Sequence, residues 1–309
     1  MNEVLYTVKI RKILFGSKES NGLIANLVIY SLLIGIGFVY LYPLIYMFAN
    51  SMKDLNDLLN PMVNWIPTHI FYGNYTKALK VLNYFPTLYG TLYVTLITTI
   101  AQVISSAFIG YGFARYNFVG KKLFLFLMII TFLIPQQLLM IPRFLIFQRL
   151  HMLKNVLAFF VPAIFGQGIN QALFILIFYQ FFSMIPKSTE EAAQIDGAND
   201  FIVFLKIAIP SAVPAFVITF ALSMVWYWNE TYLTSLYFGD AIRTLPLQLQ
   251  KFVDTYQRMF GTGVVITDRL NEAVRMAGTL LTILPLLVIY FIIQKRLIES
   301  IDSVGITGE

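Results

Sequence analysis

A chain of 309 residues that is 58% hydrophobic and only 12% charged has the balance of a protein dissolved in lipid rather than water. Its net charge of +6 is spread over several loops, which argues against nucleic-acid binding, and the absence of cysteine removes thiol chemistry, a disulfide framework and Cys-based metal sites. In chain order, six long windows contain no Asp, Glu, Lys or Arg: residues 20–52, 81–114, 123–142, 155–186, 207–229 and 276–294. A helix of about 20 residues crosses the roughly 30 Å of a bilayer core, so the sequence predicts an all-α integral membrane protein with six transmembrane helices. Residues 58–76 also contain no Asp, Glu, Lys or Arg, but Asn60, Pro61, Asn64, Pro67, His69, Gly73 and Asn74 read as an external loop.

Lys9, Arg11, Lys12 and Lys18 precede the first window, whose apolar run is too long for a signal-peptide core; an uncleaved first helix is predicted. Lys and Arg divide evenly between the two sides, so orientation rests on that first flank and on the short loop with Arg115, Lys121 and Lys122. Both termini are placed in the cytoplasm. The domain reading is a cytoplasmic tail at 1–22, one transmembrane domain at 23–295 with a cytoplasmic loop at 187–210, and a cytoplasmic tail at 296–309. No internal repeat or low-complexity tract divides the chain.

The 187–210 loop is the substantial charged island between two apolar windows. Pro186 ends the fourth window, and Ser188 stands three residues ahead of Glu191, which is the capping-box pattern for a new helix. Glu190 and Glu191 fall in its first turn, where carboxylates complement the helix dipole, and Gly197 suits a left-handed position just past its end. Asn199 or Asp200 then caps a second short helix, and Pro210 lies near the start of the fifth window. The product is a helix-turn-helix lying off the membrane, with small Ala192 and Ala193 allowing close approach. A solvated connection explains the same pattern without any partner.

A family resemblance favours the docking reading. Glu191-Ala192-Ala193, three residues, Gly197, nine residues, then Ile207-Ala208-Ile209-Pro210 resembles the EAA loop of binding-protein-dependent ABC importer permeases. Tyr111-Gly112-Phe113-Ala114-Arg115, Ile134-Pro135-Gln136-Gln137, Asp196-Gly197-Ala198, Trp228-Asn229-Glu230 and Thr244-Leu245-Pro246-Leu247 occur in the order of the carbohydrate-importer subfamily, related to the smaller permease of the maltose importer. The chain departs from that pattern at Gly90, where relatives often carry Asn, at His151 and Lys154, which occupy a turn that is often Gly and Asn, and at Ile209 in place of Leu. The resemblance implies a type I ABC importer permease fold, both termini inside, and coupling to an ATPase through Glu190, Glu191, Ala192, Ala193, Asp196 and Gly197, with Glu191 pairing to a basic group of that partner. It implies as partners a second homologous permease, two ATP-binding subunits and an extracytoplasmic solute-binding protein, toward which residues 239–272 reach. Gly197→Asp is expected to abolish uptake while leaving membrane insertion intact.

This chain has no GxxxxGK[ST] phosphate loop, since Gly16-Ser17-Lys18 and Gly120-Lys121-Lys122 lack the spacing. It is expected to be no enzyme and to bind no cofactor or metal, with ATP and Mg2+ held by the partner ATPase. His69 and His151 fit solvated loops. No window holds an ionisable carboxylate or amine, which counts against an ion-coupled carrier without removing it. The neutral polar residues of the windows fit either helix–helix hydrogen bonding or a sugar pathway. For the pathway the candidates are Gln167, Asn170 and Gln171 in the fourth window, with Ser223, Trp226 and Asn229 in the fifth. Trp226 and Trp228 also fit an interfacial aromatic belt. The function expected is the permease subunit of a bacterial carbohydrate importer in the plasma membrane. The alternatives are an importer of the same build for another solute, or an ion-coupled carrier.

Overall fold

The computed structural model describes residues 14, 16–17, 20–261 and 270–306, with side chains from 22 to 261 and from 270 to 299. Lys9, Arg11, Lys12 and Lys18, most of the 1–22 tail, residues 262–269 of the expected external segment, and the end of the C-terminal tail lie outside the described residues. The chain falls into two compact units. One is built from the residues up to Thr76 with Asn271–Leu280, the other from Lys77–Leu270 with the residues from Leu281 on.

In the first unit a two-residue antiparallel pair, β1 (Gly16–Ser17) and β2 (Ser20–Asn21), precedes α1 (Leu23–Ser51). At 1.5 Å per residue α1 is about 43 Å long, more than a membrane core requires. Its side chains are exposed along nearly the whole length, as befits a helix clad in Leu, Ile, Val and aromatic residues. The following segment, with short α2 (Leu55–Leu59), is held by buried polar groups. Lys53 Nζ donates to the carbonyls of Val63 and Asn64, both at 2.8 Å, and Asn74 Nδ2 donates to those of Ser51 and Lys53. Asp57 accepts from the Thr68 amide at 2.8 Å and the Thr68 hydroxyl at 2.7 Å. Burial alone raises the Asp57 pKa, but these bonds and the charges of His69 and Lys53 outweigh it and hold the carboxyl below its ordinary value. Chain that must satisfy this many backbone carbonyls with side chains is no membrane helix, in line with its reading as a loop.

After α3 (Gly73–Leu82), the second unit is organised on one helix, α4 (Tyr84–Arg115). Around it pack α7 (Leu157–Ile164), α8 (Gln171–Met184) and α12 (Val213–Asn229). Thr87, Thr91, Thr95, Thr98, Gln102 and Ser106 recur at three- and four-residue steps on α4 and are all buried, while Ile100, Ile104 and Phe108 on another face are exposed. This is the distribution lipid requires: small polar residues let helices approach and bond to one another, and the apolar residues look outward. Gly90 on α4 has its own reason. A Cβ there would meet the Arg243 carbonyl oxygen at 2.6 Å, so the Asn that relatives often carry has no room. His151 and Lys154 take the left-handed conformation, with φ of 54° and 61°, in the turn where relatives often place Gly and Asn.

Three of the predicted spans are single helices: α1, α4, and α16 (Glu272–Ile306), of which Glu272–Glu299 is long and apolar enough to cross. The other three are broken, which the windows did not reveal. The third is α5 (Lys121–Leu133) and α6 (Gln136–Arg149), bent by 98° where Pro135 holds Ile134 extended. The fourth is α7 and α8, interrupted at residues 165–170 by left-handed Gly166 and Asn170. α8 is itself followed, after Ile185-Pro186, by α9 (Lys187–Ile195) at 71°. The fifth is α12, entered through α10 (Asp200–Val203), a π-helical turn at Phe204–Ala208 and α11 (Ile209–Ser211), with a bend of 75°. Pro210 has no amide to donate, which accounts for the wider turn just before it. Beyond α12 run α13 (Tyr232–Phe238), α14 (Leu245–Gln250) and α15 (Phe252–Phe260).

Candidate coupling helix and polar cleft

Two polar regions lie on the second unit, and α4 runs through both. The first is the acidic helix-turn. α9 begins directly after Pro186 with no side-chain cap, so the capping box expected from Ser188 and Glu191 does not form. Proline before the first helical residue fixes the start, and Thr189 N–H bonds the Pro186 carbonyl at 3.2 Å, which leaves Ser188 inside the first turn. The C-terminal end follows the sequence. Gly197 has φ +90°, Gly197 N–H bonds the Gln194 carbonyl and Ala198 N–H bonds the Ala193 carbonyl, both at 3.0 Å. That pair of bonds is a Schellman stop, which needs a left-handed residue at this point. Asn199 Oδ1 accepts from the Ile202 amide at 2.9 Å and caps α10.

The two glutamates of α9 part company. Glu191, Ala192, Asp196 and Gly197 are exposed, Ala193 is half-buried, and nothing lies within 4 Å of where a Gly197 side chain would start. Glu190 points inward. Its Oε1 accepts from Arg115 Nε at 2.8 Å, and only 11% of its side chain and 7% of that of Arg115 are exposed. Arg115 Nη2 also donates to the Ile185 carbonyl at 2.8 Å, so one guanidinium ties the last turn of α4 to the end of α8 and the start of α9. Beside it Tyr116 Oη donates to Asp200 Oδ2, and Gln194 Nε2 to Asp200 Oδ1, each at 3.0 Å. Behind it Tyr111, Phe182 and Phe204 pack ring against ring, with centroids 5.3 and 4.8 Å from Tyr111. The resemblance assigns Glu190 to ATPase coupling together with Glu191; no sequence signal separates the two except their place one residue, or about 100°, apart around the helix.

The second region is a cleft of about 710 Å³ between the α5–α6 bend, the 165–170 break and the start of α13. Its back wall is a locked amide network. Gln102 is fully buried and its Nε2 donates to the Ile169 carbonyl at 2.8 Å, while its Oε1 accepts from Tyr227 Oη. Gln171, also buried, accepts from Gly168 N–H at 2.6 Å and donates to Ser105 Oγ at 2.6 Å and the Ala163 carbonyl at 2.9 Å. A Cβ on Gly168 would sit 2.5 to 2.8 Å from the Gln102, Tyr227 and Gln171 oxygens, so the backbone comes this close because the residue is glycine. The amides free the chain break from needing water, which is how irregular backbone persists at this depth.

The expected pathway residues separate accordingly. Gln167 is exposed on the cleft wall, and Asn170 lines it from the left-handed position ahead of α8. Gln171 reaches the same wall but spends its amide internally. Ser223 is buried and donates to the Thr99 hydroxyl at 3.4 Å. Trp226 is half-buried against Phe174 with ring centroids 5.0 Å apart, and Asn229 donates back to the Val225 carbonyl at 2.9 Å. Trp228 is buried, so it offers no face to an interfacial belt or a sugar. Two residues lining the cleft escaped the sequence reading: Arg143, and Glu230, whose Oε1 accepts from the Leu233 amide at 2.8 Å. Arg143 lies one residue past the third window, and the Pro135 bend turns it back toward Gln167, with Nη2 3.5 Å from Gln167 Oε1. Among the described residues no carboxylate comes within 4.0 Å of it. An Ile-Pro step inside an apolar window was the available signal.

A family model described as binding-protein-dependent transport system inner membrane component matches residues 106–303, more than half of the chain and the whole of both regions apart from Gln102 and Ser105. The chain is 27% identical over 264 residues to a probable starch degradation products transport system permease of Thermoanaerobacterium thermosulfurigenes, covering 85% of this chain and 90% of that one. It is 29% identical over 280 residues to a polygalacturonan/rhamnogalacturonan transport system permease of Bacillus subtilis, covering 88% and 94%. Among solved structures, a chain of a bacterial ABC transporter involved in the import of the acidic polysaccharide alginate superposes with a TM-score of 0.71 at 25% identity, over 87% of this chain and 95% of that one.

Proposed function

This chain belongs to the binding-protein-dependent transport system inner membrane components, a family of multi-pass permeases, and from that premise we propose that it is the permease subunit of an ATP-driven carbohydrate importer. Both termini are cytoplasmic, as the 187–210 loop requires if it is to meet a cytosolic partner. A second permease completes the translocation pathway, two ATP-binding subunits supply the energy, and an extracytoplasmic binding protein delivers the solute. The observation that carries the reading is the α9–Gly197–α10 turn. It presents an exposed acidic face, ends in a fixed Schellman stop, and is tied at its base to the central helix. The relatives named for starch degradation products and for polygalacturonan/rhamnogalacturonan support carbohydrate as the solute class.

On this reading the cleft beside residues 165–170 is the chain's share of the pathway. Gln167, Asn170 and Arg143 offer a carbonyl, an amide and a guanidinium to hydroxyl groups, set in apolar walls. The test is reconstitution in liposomes. Uptake of labelled oligosaccharide is expected only when both permeases, the ATPase, the binding protein and internal ATP are present. Uptake by this chain alone, driven by an ion gradient, would refute the importer reading and favour a carrier.

A further inference from the structure

The two adjacent glutamates of α9 face different surroundings. We propose that Glu190 and Arg115 form an internal strut that makes α9 and α4 move as one body, leaving Glu191 for the partner surface. The proposal rests on the reading of α9 as the coupling helix and assigns the link on the near side of that contact.

The geometry carries it in three steps. First, the pair joins elements that are otherwise connected by bends. α9 meets α8 at 71° through Ile185-Pro186, and α10 to α12 bend by 75°, so the covalent chain on either side of α9 is jointed. Second, Arg115 is a fork with both prongs used, one on the Glu190 carboxylate and one on the Ile185 carbonyl, each at 2.8 Å. A bidentate guanidinium fixes direction as well as distance, which a single ammonium does not. The pair is nearly buried, so solvent does not screen it and rupture would strand a charge. Third, Arg115 ends α4, and Gln102, which holds the Ile169 carbonyl at the back of the cleft, lies on the same unbroken helix. Thirteen residues of α-helix span about 20 Å, so a displacement of α9 reaches the cleft wall through one rigid rod.

Arg115 and Glu190 are thus positioning residues, and the decisive readout is the ratio of solute transported to ATP hydrolysed in the full complex. Glu190→Gln is expected to keep the ATPase bound at wild-type stoichiometry and hydrolysing at its basal rate, while transport per ATP falls at least about tenfold, because Arg115 is left a nearly buried charge without its carboxylate. Arg115→Glu combined with Glu190→Arg restores opposite charges, and should recover most of that ratio relative to either reversal alone. If Glu190→Gln does not fold into the membrane at all, the charge swap decides: a double variant that folds, holds the ATPase and couples supports the strut, and one no better than the single reversals overturns it. Wild-type coupling in Glu190→Gln overturns it too. So does loss of the ATPase from that variant, because Glu190 would then be a docking residue. Failure of the wild-type chain to hold any ATPase would instead remove the underlying coupling reading.

Discussion

The back wall of the cleft and the acidic helix-turn are both polar regions in an apolar protein, yet they dispose of their polarity in opposite ways. Around residues 165–170 the amides of Gln102 and Gln171 spend their hydrogen bonds on the chain's own backbone and hydroxyls. In α9 one carboxylate, that of Glu190, is spent internally, and Glu191 and Asp196 face outward. A polar group satisfied inside the chain holds geometry, and one left outside is available to a partner. The cleft wall is therefore the rigid part, and the helix-turn is the part with unfilled valence.

The largest expected effect falls on the turn. Gly197→Val places a β-branched residue at φ +90°, where an L-residue costs about 1–2 kcal/mol, and adds bulk to a surface open for docking. Uptake should be abolished while the protein still appears in the membrane fraction, and Gly197→Asn should be milder because Asn tolerates left-handed backbone. Equal defects in the two variants would point to bulk at the partner surface rather than backbone strain.

The cleft should answer in stability instead. Gln171→Leu strands the half-buried Gly168 amide, at about 1–3 kcal/mol for a group left unpaired, while the Ala163 carbonyl keeps its 2.6 Å bond from the Ser105 hydroxyl. A clear fall in melting temperature in detergent is expected. Ser223→Ala, which gives up only a 3.4 Å contact with Thr99, should change it little. Similar losses in both would erase the distinction between a locked wall and incidental polarity.

Arg143→Gln sits between these cases. Its guanidinium lines the cleft and, among the described residues, has a single long side-chain hydrogen bond, to Gln167, so stability and ATPase binding should be unchanged. Transport should show a several-fold higher half-saturation concentration, since a charged hydrogen bond is worth about 1.5–3 kcal/mol where it is fully made. An unchanged transport curve would take Arg143 out of the pathway.

The smallest effect extends the same rule to the segment before α3. Asp57 has its pKa lowered on folding, so its contribution to stability is present above the unfolded-state pKa and is lost as pH falls through the lower folded value. Amide exchange at Thr68, corrected for the intrinsic rate, should rise on acidification. Asp57→Asn should remove that pH dependence.

How much of this was legible in the sequence follows from the range of the forces involved. Six spans could be read because exclusion of charge from lipid acts on every residue of a window. Gly197 could be read because a Schellman stop is a local device set by its own few residues. The breaks were harder to see. Pro135 announces a discontinuity, but the 98° turn that sends Arg143 back to Gln167 depends on packing outside the window. Ser188 had the right spacing for a capping box and lost to Pro186, which fixed the helix start two residues earlier. Glu190 and Glu191 are indistinguishable by type and position. Their separation depends on Arg115, 75 residues away in the chain, arriving at one side of α9.

The central claim, that α9 is the surface by which this chain meets an ATPase, is tested most directly by purifying the tagged chain in mild detergent as wild type and as Glu191→Arg. The account predicts that an ATPase and a second permease accompany the wild type, and that the variant keeps the permease and loses the ATPase. A chain that purifies alone, and is indifferent to the substitution, would contradict it.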